Sequence, residues 1–209
     1  MPIINEDLHE FVPDNKSVAL LIIDMINDFE FDDGKKLFAH ALPAAKKIAK
    51  LKAAAKKQKV PIIYVNDNYG KWQSDFRHLI DHCLHDGVLG KEITELLLPD
   101  DDDYFVLKPK FSGFYSTPLD LLLQYLKVNT LMITGVAGNM CVQFTANDAY
   151  MRDFVLYVPS DCVASNDPMV NEEALHLMKT VLKASTLPSI TLDIEEIITK
   201  ANESEPKPL

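Results

Sequence analysis

Short runs of branched apolar residues punctuate the chain, each bounded by polar or turn-forming positions. They read SVALLII (17–23), VPIIYV (60–65), YFVL (104–107), TLMIT (130–134), FVLYV (154–158) and SITLDI (189–194). Unbroken apolarity over so few residues predicts strands covered on both faces. Between them, apolar positions recur at helical spacing over 41–58, 90–97, 117–127, 139–151 and 171–183. Strands alternating with helices predict right-handed βαβ crossovers and a parallel sheet. The fold class expected is therefore α/β: a single doubly wound, Rossmann-like sheet of about six strands with helices on both faces. No Pro/Gly/Ser-rich linker divides the chain, so one domain is expected over 1–209, with the polar tail 201–209 (ANESEPKPL) fraying.

Charge narrows the classes of partner. Against 21 Lys and Arg stand 31 Asp and Glu, a formal charge of -10, and an acidic surface repels a phosphate backbone. Nucleic acid is not an expected partner. The start MPIINEDLHEF carries no basic region leading into an apolar stretch, and no 18-residue apolar segment occurs. A membrane is thus not an expected partner either, and a cytoplasmic location is expected. Cys83, Cys141 and Cys162 are an odd, widely spaced set, which predicts free thiols rather than a disulfide framework. The lysine-rich stretch 44–59 reads as a helix with a solvated basic face, and Asp100 to Asp103 as an exposed turn.

In open parallel sheets, ligands bind beyond the carboxyl ends of the strands. Asp24 follows the first strand, with Asn27, Asp28 and Phe29 close behind; Asn66, Asp67 and Asn68 follow the second; Lys108, Pro109 and Lys110 follow the third. The fourth leads into Gly135-Val136-Ala137-Gly138-Asn139-Met140-Cys141. A carboxylate at the end of a buried strand is costly to desolvate unless several donors meet it, and Asp24, Lys108 and Cys141 share one sheet edge. Asn139 is a residue type suited to an N-cap, which would place Cys141 in a first helical turn where backbone N–H groups favour a thiolate. Small residues in the turn before it would let a substrate carbonyl approach backbone donors as in an oxyanion hole. Neither G-x-G-x-x-G nor G-x-x-x-x-G-K-[ST] is present to indicate a nucleotide site.

Three separated motifs, LLIIDMINDF (20–29), VLKPKFSGFYSTPL (106–119) and TGVAGNMCVQFTANDAYMRDF (134–154), with the trailing VPSDCVAS (158–165), resemble those of the isochorismatase-like cysteine hydrolase superfamily. The resemblance spans roughly residues 17–183. It implies a catalytic triad of Asp24, Lys108 and Cys141, with Lys108 preferred to Lys110 because it directly follows its strand. It also implies a cis peptide at Val136–Ala137, an oxyanion hole from the amides of Ala137 and Cys141, and a homo-oligomer. The cysteine aligns the chain with the amide-cleaving members rather than with isochorismatases proper. Two departures bear on the substrate: Ile26 stands where the family often has glutamine, and Asn66-Asp67-Asn68 lacks the D-x-H with which nicotinamidases begin their metal set.

The activity so implied is hydrolysis of a small amide or carbamoyl C–N bond through a thioester, acting on a small-molecule substrate without a cofactor. Phe29, Asn66, Trp72 and Phe114 are candidate pocket residues. His78, His82 and His85 lie close together but follow no strand, so no metal site is expected. Two other readings stay open: a thiol redox sensor at Cys141, and a catalytically silent binding protein on the same fold.

Overall fold

The computed structural model describes residues 17–68 and 75–203. Six strands form one sheet: β1 (Val18–Ile23), β2 (Ile62–Asp67), β3 (Tyr104–Lys108), β4 (Thr130–Val136), β5 (Val155–Tyr157) and β6 (Val163–Ala164). All pairings are parallel. The order is β3-β2-β1-β4-β5, with β6 beside the end of β4. Its helices are α1 (Gly34–Lys57), α2 (Phe76–His85), α3 (Lys91–Leu96), α4 (Leu119–Tyr125), α5 (Gln143–Tyr150), α6 (Pro168–Thr180) and α7 (Ile194–Glu203).

The pleat of β1 explains why its sequence is apolar throughout. Val18, Leu20 and Ile22 enter one core with residues of α1, α3 and α7, while Ala19, Leu21 and Ile23 enter the other with α4, α5 and α6. Successive side chains point to opposite faces, and both faces are covered. Winding reverses between β1 and β4, because β2 and β3 continue on one side of β1 and β4 begins the other. That reversal opens a crevice at the strand ends.

The sixth strand differs from expectation. Residues 189–194 form no strand: Ser189–Thr191 is a 3₁₀ turn, and α7 starts at Ile194. Ser189 donates its N–H to Asp161 at 2.6 Å, and Asp193 accepts from the N–H of Glu196 at 3.1 Å, as a helix cap does. Ile194, Ile197, Ile198 and Ala201 are then the buried stripe of a helix. The sixth strand is instead the two-residue β6. Helix α1 begins at Gly34 rather than near 41 and carries Pro43 in its interior.

The basic face of α1 is less solvated than its composition suggests. Lys52 is buried and donates to the Leu98 carbonyl at 2.8 Å while pairing with Asp103 at 2.9 Å. Lys56 pairs with Asp100, Asp102 and Asp103. The acidic run is accordingly a receptor for two α1 lysines and fastens that helix to the start of β3. Among the described residues, no helix is long and apolar enough to cross a membrane. All three cysteines are free thiols.

Candidate active site

Three strand ends bring three polar side chains together. Asp24 follows β1 directly and takes a left-handed backbone (φ 50), a conformation aspartate tolerates better than most residues. Its backbone N–H donates to the Val65 carbonyl of β2, and its Oδ1 accepts the Asp67 N–H at 2.8 Å. Lys108 closes β3, in register with Asp67, and is fully buried. Its Nζ lies 2.8 Å from Asp24 Oδ2, 3.3 Å from Cys141 Sγ and 3.7 Å from Asp67 Oδ2. Asp24 and Cys141 thus lie against the same ammonium.

Cys141 reaches this position from a π-helical turn, Gly138–Val142, that leads from β4 into α5. The Val136–Ala137 peptide is cis. Asn139 is not the N-cap: it sits inside the turn, its N–H donates to Ser165 Oγ at 3.2 Å, and Ala137 occupies the cap position. The turn bonds from residue i to i+5 and starts at Gly138, two positions earlier than an α-helix capped by Asn139 would. The small residues of the turn answer to packing. A Cβ on Gly135 would lie 2.1 Å from the Ile23 carbonyl oxygen, and one on Gly138 would lie 2.1 Å from Asn171 Oδ1. Ser165 in turn donates to Asn171 at 3.0 Å, so β6 and α6 support the turn from behind.

Burial sets the electrostatics. Desolvation pushes the Asp24 carboxyl above its ordinary 3.8, outweighing the neighbouring Lys108. Burial works to lower Lys108, but Asp24 and Cys141 beside it hold the ammonium above its ordinary value. Cys141 is pushed up to about 12, by burial first and by the Asp24 carboxylate second. Burial thus works against the resting thiolate that a first-turn cysteine suggests, and it increases the basicity of the neighbouring carboxylate.

The remaining candidates separate. Phe29 and Phe114 are core residues on opposite faces of the sheet, Phe29 edge-on to Phe38 and Phe114 beneath the Arg152 guanidinium, rather than walls of an open pocket. Asn66 is buried and donates Nδ2 to the Ile26 carbonyl at 2.7 Å, so it fixes the loop that carries Asp24. Trp72 lies outside the described residues. His82 is held by Asp86 at 2.7 Å and Asp28 at 3.4 Å, and His85 bonds the Asp81 carbonyl at 3.1 Å. Among the described residues, the one carboxylate cluster with metal-like spacing is Asp100, Asp102 and Asp103, which Lys56 occupies.

Three residues that the sequence did not single out support the site. Ser112 donates to the Asp148 carboxylate, and Thr145 Oγ1 accepts the Gly113 N–H at 2.9 Å while donating to the Cys141 carbonyl at 2.7 Å. Serine and threonine near a lysine-bearing strand gave no signal of their own, although all three lie inside the motifs that carried the resemblance.

Comparison with known proteins identifies the family. The Isochorismatase domain profile matches residues 18–189. An uncharacterized isochorismatase family protein of Bacillus subtilis, YaaI, is 47% identical over 182 residues, covering 87% of this chain and 97% of its own. The ureidoacrylate amidohydrolase RutB of Methylorubrum extorquens is 26% identical over 196 residues, covering 80% of this chain and 78% of its own. The crystal structure of N-carbamoylsarcosine amidase from Thermoplasma acidophilum superposes with a TM-score of 0.65 at 27% identity, covering 84% of this chain and 98% of that one. With a profile match across most of its length and a relative of such identity, the chain belongs to the isochorismatase family.

Proposed function

We propose that the protein hydrolyses a small amide or carbamoyl C–N bond through a thioester on Cys141. The observation that carries the reading is Lys108 Nζ, buried between Asp24 Oδ2 and Cys141 Sγ at 2.8 and 3.3 Å. A sulfur and a carboxylate against one fixed cation are the parts that nucleophilic catalysis with a general base requires. Relatives that are an amidohydrolase and an amidase support the same bond class.

In the first half-reaction the Cys141 sulfur attacks the substrate carbonyl carbon while Asp24 takes the thiol proton. Because the resting thiol is neutral, attack and proton transfer are coupled. Lys108 stabilises the negative charge shared between sulfur and carboxylate. The N–H groups at 139, 140 and 142 are engaged within the protein; those of Ala137 and Cys141 are the proposed oxyanion donors, each worth on the order of 3 kcal/mol in the barrier. The C–N bond then breaks as Asp24 returns its proton to the leaving nitrogen. In the second half, Asp24 takes a proton from water, hydroxide oxygen attacks the thioester, the C–S bond breaks, and the proton returns to sulfur.

The same reading places the enzyme in the cytoplasm as a homo-oligomer that needs no metal. The test is a panel of primary amides, ureides and carbamoyl compounds assayed for ammonia release, with intact-protein mass spectrometry at short times. An acyl adduct on Cys141 that disappears as product forms is the expected result. Turnover that persists in Cys141→Ala would refute it.

A further inference from the structure

Apolar positions run along both sides of α5. Val142, Ala146 and Ala149 recur at helical spacing and enter the core with Leu21 and Ile23 of β1. Met140, Phe144 and Met151 recur on the opposite side, with Asn147 the polar position in line with them. A helix that is apolar on two sides is one that is covered on two sides. Among the described residues the second cover is incomplete. Phe111 packs its ring against that of Phe144, yet Phe111 stays 45%, Phe144 47%, Met140 38% and Met151 80% exposed.

The stripe itself carries no charge. Asp148 and Arg152 flank it, but Asp148 accepts from Ser112, and Arg152 lies against Asp120 and the Phe114 ring of its own chain. At a net charge of -10, two copies of the chain tend to meet acid against acid, and a face without acids in its centre escapes that repulsion. The four apolar side chains leave roughly 400 Å² open, and with the polar positions beside them roughly 600 Å². Two such faces together would bury about 1,200 Å², which is where stable interfaces begin.

We propose that this stripe is the face through which two copies of the chain pair, α5 against α5 about a two-fold axis. Self-association belongs to the reading above, on which this rests; the face that performs it is the new inference. In an isologous contact the same residues serve both copies, so a position before the axis meets one equally far behind it. An axis between Phe144 and Asn147 sets Phe144 opposite Asn147 of the partner subunit, and Met140 opposite Met151 of the partner subunit. Met140 precedes Cys141, and Phe111 follows Lys108 by three positions, so the pairing braces both segments that carry the site.

Analytical ultracentrifugation of the full chain from about 1 to 100 μM reads the assembly directly. The wild type should sediment as a dimer or an even multiple of one. Phe144→Glu sets two carboxylates beside the axis, and Met151→Glu replaces a side chain that lies mostly in solvent. Each should lower the mass about twofold or more while circular dichroism stays native. Phe144→Lys alone should do the same. An equal mixture of Phe144→Glu and Phe144→Lys should recover the wild-type mass, because opposite charges then face each other across the axis. Ile190→Glu, at an exposed position in a turn fastened to Asp161 on the α1 side of the sheet, should leave the mass unchanged. An oligomeric wild type whose mass neither Phe144→Glu nor Met151→Glu lowers, or whose mass Ile190→Glu lowers as much, overturns the proposed face and leaves self-association standing. No recovery in the mixture overturns the two-fold pairing. A monomeric wild type overturns self-association and the proposal together and gives the stripe to a different occupant, while ammonia release still decides the amidase reading by itself.

Discussion

Ser112 donates its hydroxyl to the Asp148 carboxylate, and through that bond the loop after Lys108 is fastened to the helix after Cys141. The contact does not stand alone. Gly113 bonds Thr145, Arg152 lies 4.7 Å over the Phe114 ring, and Phe111 meets Phe144 with ring centroids 5.4 Å apart. Residues 111–114 therefore grip α5 along one side and set how closely the lysine approaches the sulfur.

Loosening this grip should cost rate rather than affinity. For Ser112→Ala we expect kcat to fall about tenfold, on the order of one buried hydrogen bond, with KM nearly unchanged. Steady-state kinetics on a substrate from the amide panel decides it. A raised KM with unchanged kcat would mean that the contact shapes a binding wall instead.

The two charged partners of the cysteine should fail differently. Asp24→Asn preserves shape and removes the base, so turnover should drop by about 10²- to 10⁴-fold while circular dichroism stays native. Lys108→Ala leaves Asp24 and the sulfur facing each other without a cation. It should slow iodoacetamide alkylation of Cys141 at fixed pH as well as turnover. Near wild-type turnover in Asp24→Asn would assign the base to another group.

The pH profile follows from the two shifted acids. Asp24 must be ionised to act, and burial raises its pKa above 3.8, so kcat/KM should rise with pH through a value above the ordinary carboxylate range. Burial pushes the Cys141 thiol up to about 12, and in the proposed reaction it reacts as the neutral thiol coupled to Asp24. No further rise should therefore appear between about pH 8 and 9, where an ordinary free thiol ionises. A rate that climbs tenfold per pH unit across that interval would indicate a pre-formed thiolate as the reacting species.

Lys52 tests the underside of the fold. Lys52→Met deprives the buried Asp103 and the Leu98 carbonyl of a partner, and urea unfolding should show a loss of about 3 kcal/mol. Lys50→Met, on an exposed position of the same helix, should stay within about 0.5 kcal/mol.

Much of the sheet was legible because β1, β2 and β4 are buried on both faces and read as apolar runs; the edge strand β3 reads the same way although Phe105 is exposed. The run 189–194 misled for the same reason: Ile190, Leu192 and Ile194 alternate like a strand, and the spacing of Ile194, Ile197 and Ile198 that reveals a helix lies beyond it. The start of α1 was hidden by Gly34 and Pro43, both poor helix formers. Asp24, Lys108 and Cys141 stood out because each polar side chain follows a strand. The Lys52–Asp103 and Ser112–Asp148 pairs did not, since nothing in a local window shows that residues so far apart along the chain will meet. Asn139 has the composition of a cap, but side-chain preference does not reveal that the turn is a π turn.

That π turn makes residue count a fixed property of the segment. Gly138–Val142 holds one residue more than an α-helical turn, with the Gln143 N–H reaching back to the Gly138 carbonyl. Deleting or inserting one residue between Gly138 and Ala146 would rotate all that follows by about 100°. Either Cys141 would then turn away from Lys108, or Ala146 and Ala149 would leave the core they fill. A change of side chain along this stretch should therefore be tolerated far more readily than a change in its length.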